Sequence, residues 1–142
     1  MILEDFKKLM LSKTKNRKEF PIDINLEYRI HTALKQVASD SIPLRLVTNS
    51  SESVNVFRRV DEFTFIRYPN MPTKDSQELD MDEYLLDAVA HFVMAGIETE
   101  RGSIHMAMYH DVIANHSTRL QEAYLAETTN ESVWNDASFR FA

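Results

Sequence analysis

Residues 85–97 read LLDAVAHFVMAGI, a stretch long enough for more than three helical turns and apolar on nearly every side. A helix without a polar face cannot lie on a surface, so other elements must cover it from several directions. That single requirement makes the fold a helical core built around this segment. Its polar exceptions, Asp87, His91 and the following Glu98, fall on one line of the helix. Asp80 followed by Glu83 forms a D-x-x-E arrangement that reads as a capping box opening the segment.

Past it, Gly102 breaks the pattern and Ser103 is placed to cap a last helix from Ile104 to about Glu127. Met106, Tyr109, Ile113, Leu120 and Tyr124 form its apolar stripe. The short connection makes the two helices an antiparallel hairpin.

Upstream, Ile2–Leu11 predicts a short amphipathic helix with Ile2, Phe6, Leu9 and Met10 on one side, followed by an exposed linker, SKTKNRKE. A second stripe, Leu26, Ile30, Ala33, Leu34 and Val37, predicts a helix capped by Asp23 or Asn25 and stopped before Pro43. The middle switches to alternation at Leu44/Leu46, Val54/Val56 and Phe63/Phe65, which predicts two or three strands. TNSSES supplies one loop; Asp61-Glu62 is a poor two-residue turn because neither residue favours positive φ, which leaves one long bent strand as the alternative. YPNMPTKDSQELD is a polar connection of a length that usually has a reason. The expected fold is mainly α with a small β insertion: a single helical domain over residues 1–127, its β segment at about 43–68, and an extended tail over 128–142.

Composition narrows the chemistry. At 142 residues one domain is expected, and 44% hydrophobic with 27% charged residues is the balance of a folded globular chain. The net charge of −6 opposes phosphate backbones, so no sequence-specific nucleic acid binding is expected. With two glycines there is no Gly-rich phosphate loop, and with no cysteine there is neither a disulfide nor a thiolate ligand. The N-terminal apolar run is interrupted by acids, unlike a signal peptide, and no run reaches the roughly 20 apolar residues of a membrane span. A soluble protein with no membrane partner is expected.

Three of the five histidines fall in GSIHMAMYHDVIANH, residues 102–116. At 100° per residue His105 and His110 point about 140° apart, and His110 and His116 about 120° apart. His105 and His116 share a face but stand roughly 16 Å apart, too far to ligate one ion. A metal site could form only across the hairpin, from Asp87 and His91 with His110 or Asp111, Glu98 being a further candidate ligand, and the Glu-x-x-His motif of di-metal bundles does not occur. The plainer expectation is that these groups hydrogen-bond within the hairpin or face water. Serines are present without a G-x-S-x-G elbow, and adjacent His110 and Asp111 diverge on a helix, so neither catalytic residues nor a cofactor is expected. Met94, Met106 and Met108 suit packing better than ligation.

Two features point outward. Arg58, Arg59 and Arg67 could form an anionic-partner patch or simply a solvated strand edge. Trp134, Phe139 and Phe141 sit among Ser, Asn and Asp where no period would bury them, so they either fold back or anchor in a partner's groove.

The order of elements over residues 21–127 resembles the head–tail connector (adaptor, or head-completion) proteins of tailed bacteriophages. What carries the resemblance is an opening helix, a β-rich middle ending in FTFIRYPNMP, a polar connection, then LDMDEYLLDAVAHFVMAGIE and IHMAMYHDVIANHSTRLQEAYL. The resemblance implies a non-enzymatic virion protein, assembled in the host cytoplasm, that forms a ring-like homo-oligomer in the neck and joins the portal protein to tail or neck proteins. It would make Trp134, Phe139 and Phe141 portal-facing or neighbour-facing anchors and place Arg58, Arg59 and Arg67 near the ring channel or an adjacent subunit. Two readings from other classes stand beside it: a cytoplasmic helical binding or regulatory module, whose acidic surface suits a basic partner, and a small helical metalloenzyme using Asp87, His91 and His110.

Overall fold

In the computed structural model the described residues are 1–14, 17–22, 24–48 and 55–131, with side chains through residue 117. The fold is mainly helical with a small antiparallel sheet: α1 (Leu3–Ser12), α2 (Leu26–Asp40), β1 (Val47–Thr48), β2 (Val56–Arg59), β3 (Phe65–Arg67), α3 (Leu86–Ile97) and α4 (Gly102–Glu131). The apolar segment is the centre, as its composition requires. Helices α1, α2 and α4 all pack on α3, which buries Leu86, Ala88, Val89, Ala90, His91, Val93 and Met94. Leu3, Phe6 and Met10 of α1 and Ile30, Leu34 and Val37 of α2 complete this core.

The polar connection has a structural task. Helix α1 has no side-chain cap at Ile2. Its first free N–H groups are taken up instead by the connection: Leu3 N donates to Gln77 O at 2.9 Å and Glu4 N to Asp75 O at 3.0 Å. A bridge between Ile2 and Glu78 extends this pairing, and at its other end the connection accepts from His31 of α2, whose Nε2 lies 3.0 Å from Pro69 O. The first helix is thus held by backbone bonds as well as by its buried stripe.

The sheet has the order β1–β3–β2, with Val47 opposite Ile66 and Arg58 and Arg59 opposite Ile66 and Phe65. A bulge between Val56 and Arg58 puts Arg58 on the face of fully buried Ile66 and leaves Arg59 exposed. The expected strand at Leu44–Leu46 is a 3-10 turn, with only Val47–Thr48 extended after it. Residues 49–54, including Val54 and most of TNSSES, lie outside the described residues.

A hairpin forms at Asp61-Glu62 despite the unfavourable turn residues, because the loop is longer than two residues. Val60 N donates to Thr64 O at 2.9 Å, and the Asp61 carboxylate accepts from Phe63 N at 2.9 Å. This side-chain turn replaces the missing glycine, and no described residue has positive φ.

Three capping expectations are resolved in different ways. Asn25 caps α2, its Oδ1 accepting from Tyr28 N at 3.1 Å. Asp80 does not cap α3: its carboxylate is held by Arg67, Arg45 and Asn70, and α3 is entered instead through a 3-10 turn at Glu83–Leu85 with no side-chain cap. Ser103 does not cap α4, which begins at Gly102 after a 3-10 turn over Thr99–Arg101 and continues to Glu131 rather than to about Glu127.

Candidate functional site

The core-facing stripe of α4 is His105, Tyr109, Val112 and His116, spaced i, i+4, i+7, i+11. Histidines therefore occupy core positions, and the polar groups that meet them come from α3 and its end. His105 is 1% exposed and His91 is 6% exposed, and their Nδ1 atoms lie 3.0 Å apart. On the other side of the same ring, Nε2 of His105 lies 2.7 Å from Oε1 of Glu98, a carboxylate that also accepts from Arg101 at 3.1 Å. The result is a continuous chain, Glu98 to His105 to His91, inside the α3–α4 hairpin.

Elementary valence limits its protons. An ionised carboxylate can only accept, so Nε2 of His105 donates to Glu98. With His105 neutral, its Nδ1 is a lone pair and Nδ1 of His91 donates to it; with His105 charged against Glu98, its Nδ1 donates to His91, and in either case one proton lies between the two rings. Lys13, the residue after α1, lies 3.0 Å from Asp87. Burial, with Lys13, His105 and Arg101 nearby, pushes His91 below the ordinary histidine range, and Asp87 offsets only part of this.

Two neighbouring features belong to the same helix pair. A cleft of about 260 Å³ is lined by Tyr84, Asp87, Val112, Asn115 and His116, and His116 Nε2 lies 3.2 Å from Ile42 O. On the α2 side, the Tyr109 hydroxyl donates to Asp40 at 2.6 Å, tying α4 to the end of α2. Burial and this carboxylate push the phenol well above its usual range. Tyr109→Phe is expected to lower unfolding stability by about 1–2 kcal/mol, since a hydrogen bond to a charged group is lost at a buried position. Urea unfolding of the two proteins checks this.

The residues considered for a metal are not brought together. Asp87 pairs with Lys13, His91 with His105, and His110 is exposed with its ring edge-on to Tyr109. Among the described residues no group of three or more His, Asp or Glu side chains has a metal-binding arrangement. The His91–His105–Glu98 chain was only half legible: the shared face of His105 and His116 can be read from their spacing, but the facing of His91 by His105 depends on how the hairpin pairs.

The three arginines separate. Arg58 runs inward and donates through Nε to Ala38 O at 2.8 Å and through its terminal nitrogen to Ser41 O, closing the C-terminal end of α2. Arg67 grips Asp80 with both terminal nitrogens, one at 2.8 Å. Only Arg59 is exposed, stacked 5.8 Å over the Phe65 ring and bonded to the Asp61 and Glu62 carbonyls of the hairpin tip. Phe63 stands out from that tip at 73% exposure. Trp134, Phe139 and Phe141 lie outside the described residues.

No helix among the described residues is long and apolar enough to cross a membrane. Comparison of the chain with protein-family models, with curated proteins and with solved structures finds no match.

Proposed function

We propose that the protein is a head–tail connector of a tailed bacteriophage, a structural part of the virion neck that works by oligomerising and docking, without catalysis. One observation carries most of the reading. Helix α4 has 30 residues, about 45 Å, whereas its hairpin partner α3 has 12, about 18 Å. More than half of α4 therefore has no length of α3 beside it, and a helix of that kind is suited to packing against another subunit. The hairpin tip adds a second projecting element, with Phe63 exposed and Arg59 beside it.

In this reading the helical core is a rigid base, and contacts are made by its projections: the hairpin tip to an adjacent subunit or the ring channel, the far half of α4 to a neighbour, and Trp134, Phe139 and Phe141 to the portal. Arg58 and Arg67 act indirectly, by holding the sheet to α2 and to the polar connection. The partners are further copies of the chain, the portal protein and tail or neck proteins.

Native mass spectrometry of the purified chain, alone and with the portal ring of the same virus, tests the reading. A closed ring, or a monomer that joins the portal ring, is expected. The chain ended at Glu127 should keep its cooperative melt and lose that assembly. Failure of the full chain to assemble under either condition would remove the connector reading, and unfolding of the shortened chain would make the tail part of the core.

A further inference from the structure

The chain of Glu98, His105 and His91 has a property that the proposed function does not use. Two imidazole nitrogens 3.0 Å apart can share one proton, but not two and not none. With one, a hydrogen bond holds α3 to α4. With two, N–H faces N–H and the contact is repulsive. We propose that these three residues form a proton-counting latch on the α3–α4 hairpin, closed while one proton lies between the facing nitrogens and opened when both rings are protonated.

The order of events follows from the geometry. His105 is locked between Glu98 and His91, so its ring has no free lone pair while the latch is closed. The remaining nitrogen of the chain, Nε2 of His91, takes part in neither of its bonds, and the residue is 6% exposed. The first added proton enters there. It leaves every bond of the chain in place and makes the pair a cation. A second proton can be accepted only on Nδ1 of His105, and that requires the two rings to part.

The surrounding charges set how strongly this is resisted. Facing the pair are Lys13 just after α1, Asp87 from α3, and Glu98 and Arg101 from the connection between α3 and α4. With both rings protonated, four cations (His91, His105, Lys13 and Arg101) would crowd two carboxylates (Asp87 and Glu98), with His105 almost fully buried. Solvation of the two imidazolium ions then favours separation of the start of α4 from the end of α3. Burial and the nearby cations hold His91 below the ordinary histidine value, so the closed form is kept at neutral pH and lost on acidification. The sign agrees with linkage: the open form binds more protons, so opening becomes more favourable as pH falls below about 6.5.

The test uses the full-length protein with ¹⁵N-labelled histidine, followed by NMR from pH 8 to pH 4. At pH 8, His105 should carry its proton on Nε2 and His91 on Nδ1. On acidification the pair should take up one proton with the contact intact, and uptake of a second should coincide with loss of amide protection across residues 98–105. While the closed pair still lacks its added proton, opening takes up two and its equilibrium constant should change by about 100-fold per pH unit; once the first is bound, opening takes up one more and the change should be about tenfold. His91→Gln keeps a side-chain donor for His105 and removes one titrating group, so the steeper part should vanish and the dependence stay at about tenfold. Both rings protonated only on Nε2 at pH 8, with no proton between the facing nitrogens, would overturn the latch, as would uptake of the second proton with amide protection unchanged.

Discussion

Replacing Asp80 by Asn is expected to cost about 2–4 kcal/mol of stability, a large loss for a surface-derived polar residue. The carboxylate is only 5% exposed and accepts four hydrogen bonds, two from Arg67, one from Arg45 and one from the Asn70 backbone N–H. It is therefore the point at which β3, the turn before β1 and the polar connection meet. Asn retains the shape but offers one acceptor oxygen and no charge, leaving the half-buried Arg67 without its counter-ion. The lower half of the range applies because Arg67 and Arg45 keep some contact with water, which screens the lost charge.

The same residue gives a pH signature. Burial alone would raise the Asp80 carboxyl, but the bonds from Arg67 and Asn70 outweigh it and hold the group below the usual carboxylate value. A depressed carboxyl stabilises the fold above its unfolded pKa, near 3.9, and that contribution is lost as pH falls through the lower native value. Wild type should therefore lose stability on its acid limb faster than Asp80→Asn, because the variant has already lost this contribution. Urea midpoints between pH 6 and pH 2.5 measure both effects, and parallel curves for the two proteins would contradict the assignment.

Phe6→Ala is the second large expectation, a loss of about 3–5 kcal/mol. Phe6 is fully buried between flanking Leu3 and Met10, and the helix carrying it packs on α3. Removing the ring leaves a cavity that the backbone ties at Gln77 and Asp75 prevent α1 from closing. A fall in melting temperature on the order of 10 °C should accompany it. Ile22→Ala is the matched control: Ile22 is 104% exposed, so truncating it should move stability by no more than about 0.5 kcal/mol. A first helix that hung free of the core would make the two substitutions equivalent.

Both expectations depend on information of different kinds. The stripe Leu3, Phe6, Met10 is a local pattern, and a helix with such a stripe buries it against whatever apolar surface is available. The role of Asp80 is not local. Its D-x-x-E spacing with Glu83 reads as a helix cap, and the side chain could serve as one, but a half-buried guanidinium bound through both terminal nitrogens is a stronger partner for a carboxylate than an exposed helix N–H. Arg67 is 13 residues away, and only the return of the chain along the connection brings the two together.

The hairpin shows the same division. Alternation at Phe63/Phe65 points to a strand that begins only at Phe65, with Phe63 on the hairpin tip, and the turn before it is hard to read because its geometry rests on a side-chain bond to Asp61 rather than on a residue type. The bulge that sends Arg58 inward and leaves Arg59 outward has no marker in RRV.

What the sequence determined by itself was the set of helices, the central place of residues 85–97 and the small β insertion, because periodicity and apolar content act over a few neighbouring residues. It also determined that His105 and His116 share a face, since helical spacing alone fixes that. The tertiary structure decided the rest: that this face looks inward, that His91 meets His105, that Glu98 completes their chain, and that two of three arginines are held within the fold. Those outcomes depend on the pairing of distant segments in a medium where a charge or an N–H must find a partner, and partner choice across such distances leaves no local trace.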